Sequence, residues 1–256
     1  MRAADGRAER LRELATELLG LNVEVILTGG REAIRAAREA TTTQPIVFAS
    51  TSDPVAEGFV ESLVRPAGNT TGLTLEAGDE DAKRVELLRE TVPGVSRPAI
   101  LWSPRVAREF RRAEAAALSY GMEVVSLDLQ NPDQLDMLFR SANNRSADAL
   151  IVIADALFMP LAPQIVGFAA QDRLPAMYPT STYAVAGGLM TYGASIPGNY
   201  RRAATYVDKI LKGAKPGDLP VERPSKYDFI INLKAAHSIG LTMPRSTLVQ
   251  ATQIFE

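Results

Sequence analysis

The chain has no cysteine among its 256 residues, which removes disulfides, thiolate-held metals, iron–sulfur clusters and cysteine nucleophiles together. It has one histidine, His237, in Leu233-Lys234-Ala235-Ala236-His237-Ser238-Ile239-Gly240, which reads as a short helix closed by glycine. A multi-histidine metal site is therefore excluded, and a packing or surface role fits His237 better than catalysis. The net charge of −2 and the pI near 5.7 give no global field for nucleic acid or an anionic membrane. Arg10, Arg12, Arg35 and Arg38 fall among acidic neighbours on expected helix faces, where solvation explains them. No apolar run reaches bilayer length, and Met1-Arg2-Ala3-Ala4-Asp5-Gly6 has none of the apolar core of a secretion signal. Enzyme fingerprints are missing too: there is no Gly-x-Ser-x-Gly and no phosphate-binding Gly-x-x-x-x-Gly-Lys, and Gly29-Gly30 lacks the full dinucleotide spacing. No catalytic residue, metal or cofactor is expected.

What is present begins with two strand ends. Val23-Glu24-Val25-Ile26-Leu27 runs into Thr28-Gly29-Gly30, and Pro45-Ile46-Val47-Phe48-Ala49 runs into Ser50-Thr51-Ser52-Asp53-Pro54. A buried parallel strand that feeds a helix opens its carboxyl end on a crevice, where hydroxyls and N–H groups can hold an anion. Such chemistry suits holding a ligand more than reacting with it. Leu11, Leu14, Ala15, Leu18 and Leu19 predict an amphipathic helix ending at Gly20; Ala33, Ile34, Ala37 and Ala40 predict a second, and Val60, Leu63 and Val64 a short third.

A second α/β series follows the helix over 81–91. Strands are expected at 98–102, 122–127, 149–154 and 175–178 with helices between them, and Asn131-Pro132-Asp133-Gln134 is a helix start with an Asn cap. Late in the chain, Tyr200, Ala203, Ala204, Val207, Ile210 and Leu211 form one apolar helical stripe ended by Gly213, before a strand at 227–231. The first unit is too short for a complete sheet alone, so the late helix is expected to join it.

Ordered stretches along nearly the whole chain resemble the substrate-binding proteins of ABC transporters, in the tryptophan-binding-protein-like branch of the periplasmic-binding-protein type I superfamily. They are Ala4-Asp5-Gly6, Thr28-Gly29-Gly30, Thr43-Gln44-Pro45-Ile46-Val47-Phe48, Ser52-Asp53-Pro54-Val55, Arg65-Pro66-Ala67-Gly68-Asn69-Thr70-Thr71-Gly72, Lys83 to Leu88, Gly187 to Gly193, Ile210 to Pro216 and Ile230 to Ala236. The resemblance implies two doubly wound parallel-sheet α/β lobes joined by a multi-segment hinge and closing over a small polar solute, with an amino acid or similar carboxylate the first guess. The expected lobes are 1–77 plus 187–218 and 78–186 plus 219–256, with hinge candidates at Leu73–Gly78, Gly188–Ala194 and Leu219–Lys226. Members resembling it carry a signal or lipoprotein segment and a strand–helix–strand unit ahead of the stretch matching Met1, so the first lobe is expected to be incomplete. The implied partners are the solute and, indirectly, an ABC permease and its ATPase, with no nucleic acid. The implied protein is a monomer in the periplasm or a lipoprotein at the cell surface.

Each candidate contact has a plainer competitor. Thr28, Gly29 and Gly30 suit carboxylate binding through N–H groups and a hydroxyl, or simply a tight turn. Ser50, Thr51, Ser52 and Asp53 share that reading, and Asp53 equally suits a cap. In the second lobe Asp155 suits a ligand ammonium or the cap of the next helix. Trp102, Ser103, Phe158 and Tyr183 lie at or beyond strand ends, where aromatic faces sandwich a ligand or pack the core. Tyr192, in a hinge candidate, suits closure over a ligand or an anchoring role. Two other classes stand beside solute capture: a non-binding truncated relative, and a ligand-sensing domain of a regulator, for which the chain offers no basic helix-turn-helix.

Overall fold

The apolar repeat around Leu14 and Leu18 forms helix α1 (Arg10–Gly20) in a computed structural model that describes residues 4, 9–75 and 78–256. It is followed by β1 (Ile26–Thr28), α2 (Arg31–Ala40), β2 (Ile46–Phe48) and β3 (Thr70–Gly72). The three strands form a parallel sheet with β2 in the middle. Alternate β2 residues serve opposite faces, as the two-residue period of a strand requires. Ile46 and Phe48 pack with Ala37 and Ile34 of α2, whereas Val47 packs on the other face.

The helix expected at Val60, Leu63 and Val64 does not form. Gly58 turns the chain at φ +68, a conformation glycine adopts without steric cost. The N–H groups of Phe59 and Val60 then both donate to Pro54 O, at 2.8 and 3.2 Å. Phe59 and Val60 are buried, while Val64 is 74% exposed.

The next segment builds α3 (Glu80–Thr91), β4 (Pro98–Trp102), α4 (Ala107–Ser119), β5 (Val125–Asp128), α5 (Leu135–Asn144), β6 (Ala149–Val152), α6 (Ala162–Gln171), β7 (Ala176–Tyr178), α7 (Ser181–Val185) and β8 (Met190–Ala194). The Asn131 start closes reciprocally: Asp133 N–H donates to Asn131 Oδ1 at 3.1 Å, and Asn131 N–H to Gln134 Oε1 at 3.2 Å. Leu101, Leu150, Val152 and Tyr178 pack one sheet face with α5 and α6. Ile100, Ile151 and Met177 pack the other with α3 and α4.

After β8 come α8 (Ile196–Leu211), β9 (Tyr227–Asn232), α9 (Leu233–Ser238), α10 (Arg245–Gln250) and β10 (Gln253–Phe255). In α8 the buried stripe is Ala203, Tyr206 and Ile210, packed with Val47, while Tyr200 and Leu211 are exposed at 40% and 53%. The large sheet runs β10-β9-β8-β7-β6-β4-β5. Asn232 N–H donates to Leu189 O and Ser195 N–H to Lys226 O. These bonds join opposite ends of the two strands, so β9 runs antiparallel to β8 within an otherwise parallel α/β arrangement.

The chain divides into Met1–Ala77 with Ala194–Lys226, and Gly78–Gly193 with Tyr227–Glu256. The expected boundaries at 187 and 219 therefore shift. Residues 187–193 go with the second unit because Met190 and Thr191 pair with Met177 and Tyr178 of β7. Residues 219–226 go with the first unit, where Val221 N–H bonds Leu63 O at 2.7 Å and Leu73 bridges Glu222. Asp5 and Gly6 of the family-like opening, and Glu76 and Ala77 of a hinge candidate, lie outside the described residues. Among the described residues no helix is long and apolar enough to cross a membrane.

Candidate functional site

In the first unit the register Thr28↔Phe48 and Phe48↔Gly72 brings the carboxyl ends of β1, β2 and β3 side by side. The ladder continues past β1: Ala49 N–H donates to Thr28 O at 2.9 Å and Gly30 N–H to Ser50 O at 2.8 Å. The Gly30 N–H expected to meet a carboxylate is thus engaged within the sheet. Gly30 instead serves the backbone, starting α2 at φ +85.

Gly29 has a different reason to be glycine. A Cβ there would collide with Ser50 Oγ and stand 2.5 Å from the Tyr200 hydroxyl. Two hydroxyls, one from the β2 end and one from the first turns of α8, therefore crowd the strand end that lacks a side chain. By local periodicity Tyr200 belongs to the same apolar stripe as Ala203, and nothing in the spacing separates the two. Asn199 was also missed. It is buried, and its Nδ2 donates to Ala49 O at 3.1 Å and Thr74 O at 2.9 Å, tying the ends of β2 and β3 together.

The remaining candidates of this unit divide. Ser50 and Thr28 are half-buried, Thr51 is buried and Ser52 exposed. Thr51 contributes its carbonyl to Leu75 N–H at 2.8 Å. Asp53 takes the capping role, its Oδ1 accepting from Val55 N–H at 3.2 Å and Ala56 N–H at 3.0 Å.

In the second unit Asp155 is engaged at both oxygens. Oδ2 accepts a short hydrogen bond from Ser103 Oγ, and Oδ1 accepts from Leu157 N–H at 2.9 Å. Ser103, only 1% exposed, also accepts from Arg105 N–H at 3.3 Å. A ligand ammonium at Asp155 would have to share an oxygen. Trp102 stacks on Phe110 at 4.4 Å and 13°, and its indole N–H donates to Ser126 Oγ at 2.8 Å. Its register partner Asp128 holds a buried Oδ1 with no hydrogen-bond partner among the described residues, although its Oδ2 accepts from Gln130 at 3.0 Å.

Phe158 and Tyr183 do not present ring faces. Both are fully buried in the core, Tyr183 stacked on Tyr178 at 4.9 Å with its hydroxyl 3.4 Å from Phe158 O. Burial pushes the Tyr183 phenol pKa up, so it stays a neutral donor. For these two, packing replaces the expected ligand sandwich.

Tyr192 is half-buried and anchored inside its own unit. It stacks on Tyr227 at 5.4 Å and 8°, and its carbonyl accepts from Arg84 Nε at 2.8 Å. Tyr227 donates in turn to Glu80 Oε1 at 2.9 Å. Arg84 pairs with Asp81 at 2.6 Å, both buried; desolvation pushes the Asp81 carboxyl up despite that neighbour. His237 is exposed. Among the described residues no cluster of three His, Asp or Glu side chains could hold a metal ion.

Comparison with known proteins gives a consistent picture. The model of a family described as ABC transporter substrate binding protein matches residues 1–255. The tyrosine-binding protein of Clostridioides difficile is 22% identical over 224 residues, which are 86% of this chain and 64% of that relative. The chain thus spans just under two thirds of that relative's length. A conserved domain protein of Vibrio cholerae superposes with a TM-score of 0.84 at 25% identity, over 99% of this chain and 86% of that one. An ABC domain from Streptococcus pneumonia in complex with L-Trp also superposes at 0.84, with 23% identity over 98% and 85% of the two chains. A ligand-free, open substrate binding protein with adhesive properties from Clostridium difficile reaches 0.78 at 21% identity, over 100% and 85%. The fold shared with these structures is that of type I periplasmic binding proteins.

Proposed function

The chain belongs to the family of ABC transporter substrate binding proteins, and from that premise we propose that it captures a small polar metabolite bearing a carboxylate, an amino acid first of all. The observation carrying this reading is the gathering of Ser50 Oγ and the Tyr200 hydroxyl beside Gly29 at the ends of β1 and β2. Hydroxyls at that place, with Thr28 next to them, supply neutral hydrogen-bond donors for a carboxylate at little desolvation cost. Trp102, held flat by Phe110 and by its indole N–H, offers a preorganised aromatic surface in the second unit. Asp155 is the candidate there for an ammonium, sharing an oxygen with Ser103 or Leu157. The relatives named for tyrosine and crystallised with L-Trp support trying aromatic amino acids first.

In this reading the protein works outside the cytoplasmic membrane, in the periplasm or at the cell surface, as a monomer that hands its solute unchanged to an ABC permease served by an ATPase. It is not an enzyme. The test is a thermal-shift screen of the twenty amino acids, then sugars and nucleosides. A true ligand at a hundred times its Kd adds about 2.7 kcal/mol of stability and raises Tm accordingly. If no solute class moves Tm, capture by this chain is wrong; if a sugar or nucleoside alone does, the carboxylate assignment is wrong.

A further inference from the structure

A cavity of about 220 Å3 lies within the second unit, and none of its lining residues is Ser50, Tyr200, Trp102 or Asp155. Its walls come from α6 through Val166 and Ala169, from the start of β7 through Leu174 and Ala176, and from the approach to β8 at Gly187 and Gly188. Asn232 and Lys234 close the remaining side, where antiparallel β9 delivers the start of α9. Small residues make the space. A Cβ at Gly188 would stand 2.7 Å from the Tyr178 ring and 2.8 Å from Tyr183 O, so no side chain can grow there to fill it.

Three polar groups of the lining residues have no hydrogen-bond or ion-pair partner among the described residues. Tyr178 is 1% exposed, yet its hydroxyl makes no hydrogen bond among the described residues, whereas its stacking neighbour Tyr183 reaches Phe158 O. Tyr178 is one of the residues lining the cavity, with its ring beside Gly188. Asn232 uses Oδ1 to accept from Ala235 N–H at 3.0 Å, which leaves its Nδ2 hydrogens without a partner among the described residues. Lys234 is exposed and has no ion-pair partner among them. Burial pushes the Tyr178 phenol pKa far up, so its hydroxyl remains a donor at any ordinary pH. A buried hydroxyl left without a partner is costly, and native proteins rarely tolerate one without a reason.

We propose that this cavity is a second binding site, for a small monocarboxylate with a compact apolar body. The three unpartnered groups are all donors, which selects an acceptor-rich anion over a cation, and Lys234 supplies the matching charge at the rim. Apart from Ser238, whose hydroxyl donates to Ala235 O at 2.8 Å, the remaining walls are aliphatic or glycine. The volume lies above the ~150 Å3 apolar cavity that accepts benzene and below the ~300 Å3 at which drug-sized sites begin, which limits the body to about one ring or a short branched chain. This inference is independent of amino-acid capture, because its residues share nothing with Ser50, Tyr200, Trp102 or Asp155.

The test is a 1H–15N NMR titration of the full chain with phenylacetate, with benzyl alcohol as the uncharged analogue. The expected result is saturable shifts of the Gly187, Gly188 and Ala235 amides, with Tyr178→Phe and Lys234→Met each weakening phenylacetate about tenfold or more. Lys234 is exposed, so its variant keeps the fold even if Tyr178→Phe loosens the core. Benzyl alcohol is expected to bind at least about tenfold more weakly. Any of four results overturns the proposal: no shift at these amides, shifts confined to Gly29 and Ser50, equal binding of the alcohol, or Kd values unchanged in both variants. Shifts of the same amides that follow protein concentration without any additive would also overturn it, assigning the cavity to a second copy of the chain.

Discussion

The two units solve the same problem with different means. Among the described residues the first has three strands of three residues each and small apolar clusters. Its strand ends are therefore held by side chains reaching in from α8, Asn199 above all, and by the Arg202–Glu222 pair outside. The second unit has seven strands and a large apolar cluster on each face. There the ladder and core do the holding, and polar groups are free to be buried in a pair such as Arg84–Asp81, while buried Ser103 bonds a half-buried Asp155. A short sheet depends on its helix side chains; a long one can bury charge.

The largest test of that contrast is Arg84→Met. It strands a buried Asp81 carboxylate and removes the donor to Tyr192 O, and should cost about 3–5 kcal/mol in urea unfolding. A loss below that of an ordinary surface substitution would mean that the pair is not sealed in solution.

Asn199→Ala removes two hydrogen bonds to buried carbonyls, and about 1–3 kcal/mol is expected. Amide exchange should quicken in β2 and β3 and stay unchanged in β4 to β7; equal acceleration in both sheets would contradict the division of labour.

Binding comes next. Tyr200→Phe should weaken the amino-acid ligand by about fivefold, the loss of roughly 1 kcal/mol for one neutral hydrogen bond, with no change in Tm of the free protein. An unaltered Kd would remove the hydroxyl pair from the site.

The two units should also differ in the sign of a pH effect. Glu222 is held below the usual carboxylate range by the Arg202 hydrogen bond, so its contribution is present above the ordinary carboxylate pKa and fades as pH falls through the lowered value. Asp81 is raised by desolvation, so the folded state binds its proton more tightly than the unfolded chain, and acidification through the raised value favours folding at that group. Stability–pH profiles of Glu222→Gln and Asp81→Asn, each referenced to the parent, should deviate in opposite directions; deviations of one sign would refute the assignment. The smallest effect belongs to Arg202→Met at neutral pH, below about 1 kcal/mol because the pair is largely solvated.

The sequence carried the first-order plan. Strand 98–102 matches to the residue, α1 and α3 to within one residue, and the helix start at Asn131 with its Asn cap is in place. All of these depend on neighbours within a turn or on simple periodicity. The errors fell where a distant partner decides. The lobe boundary expected at 187 is one: residues 187–193 belong with the second unit, and the chain passes to the first between Gly193 and Ala194, inside the hinge candidate Gly188–Ala194. Gly193 is glycine because a Cβ would collide with Pro179 O inside a paired strand.

The candidate site was half legible for the same reason. That hydroxyls follow β1 and β2 is written in the chain, and the register that aligns them follows from parallel pairing. Which hydroxyls gather is not: Ser50 and Tyr200 stand 150 residues apart and meet only because α8 packs Ala203 and Tyr206 against Val47. Phe158 and Tyr183 show the converse. Their positions beyond strand ends suggested exposed rings, but burial is set by the summed packing of α6, α7 and the sheet.

By itself, then, the sequence determined the alternation of strands and helices, the lack of any thiol and of a second histidine, and the family to which the ordered motifs belong, since each rests on residue type or short spacing. Only the tertiary structure decided the sense of β9, the unit that owns residues 187–193, the engagement of Gly30 and Asp155, and the burial of a Tyr178 hydroxyl that has no hydrogen bond among the described residues. Those depend on what lies across space from a residue, and contacts between positions tens of residues apart leave no period in the chain for a reader to find.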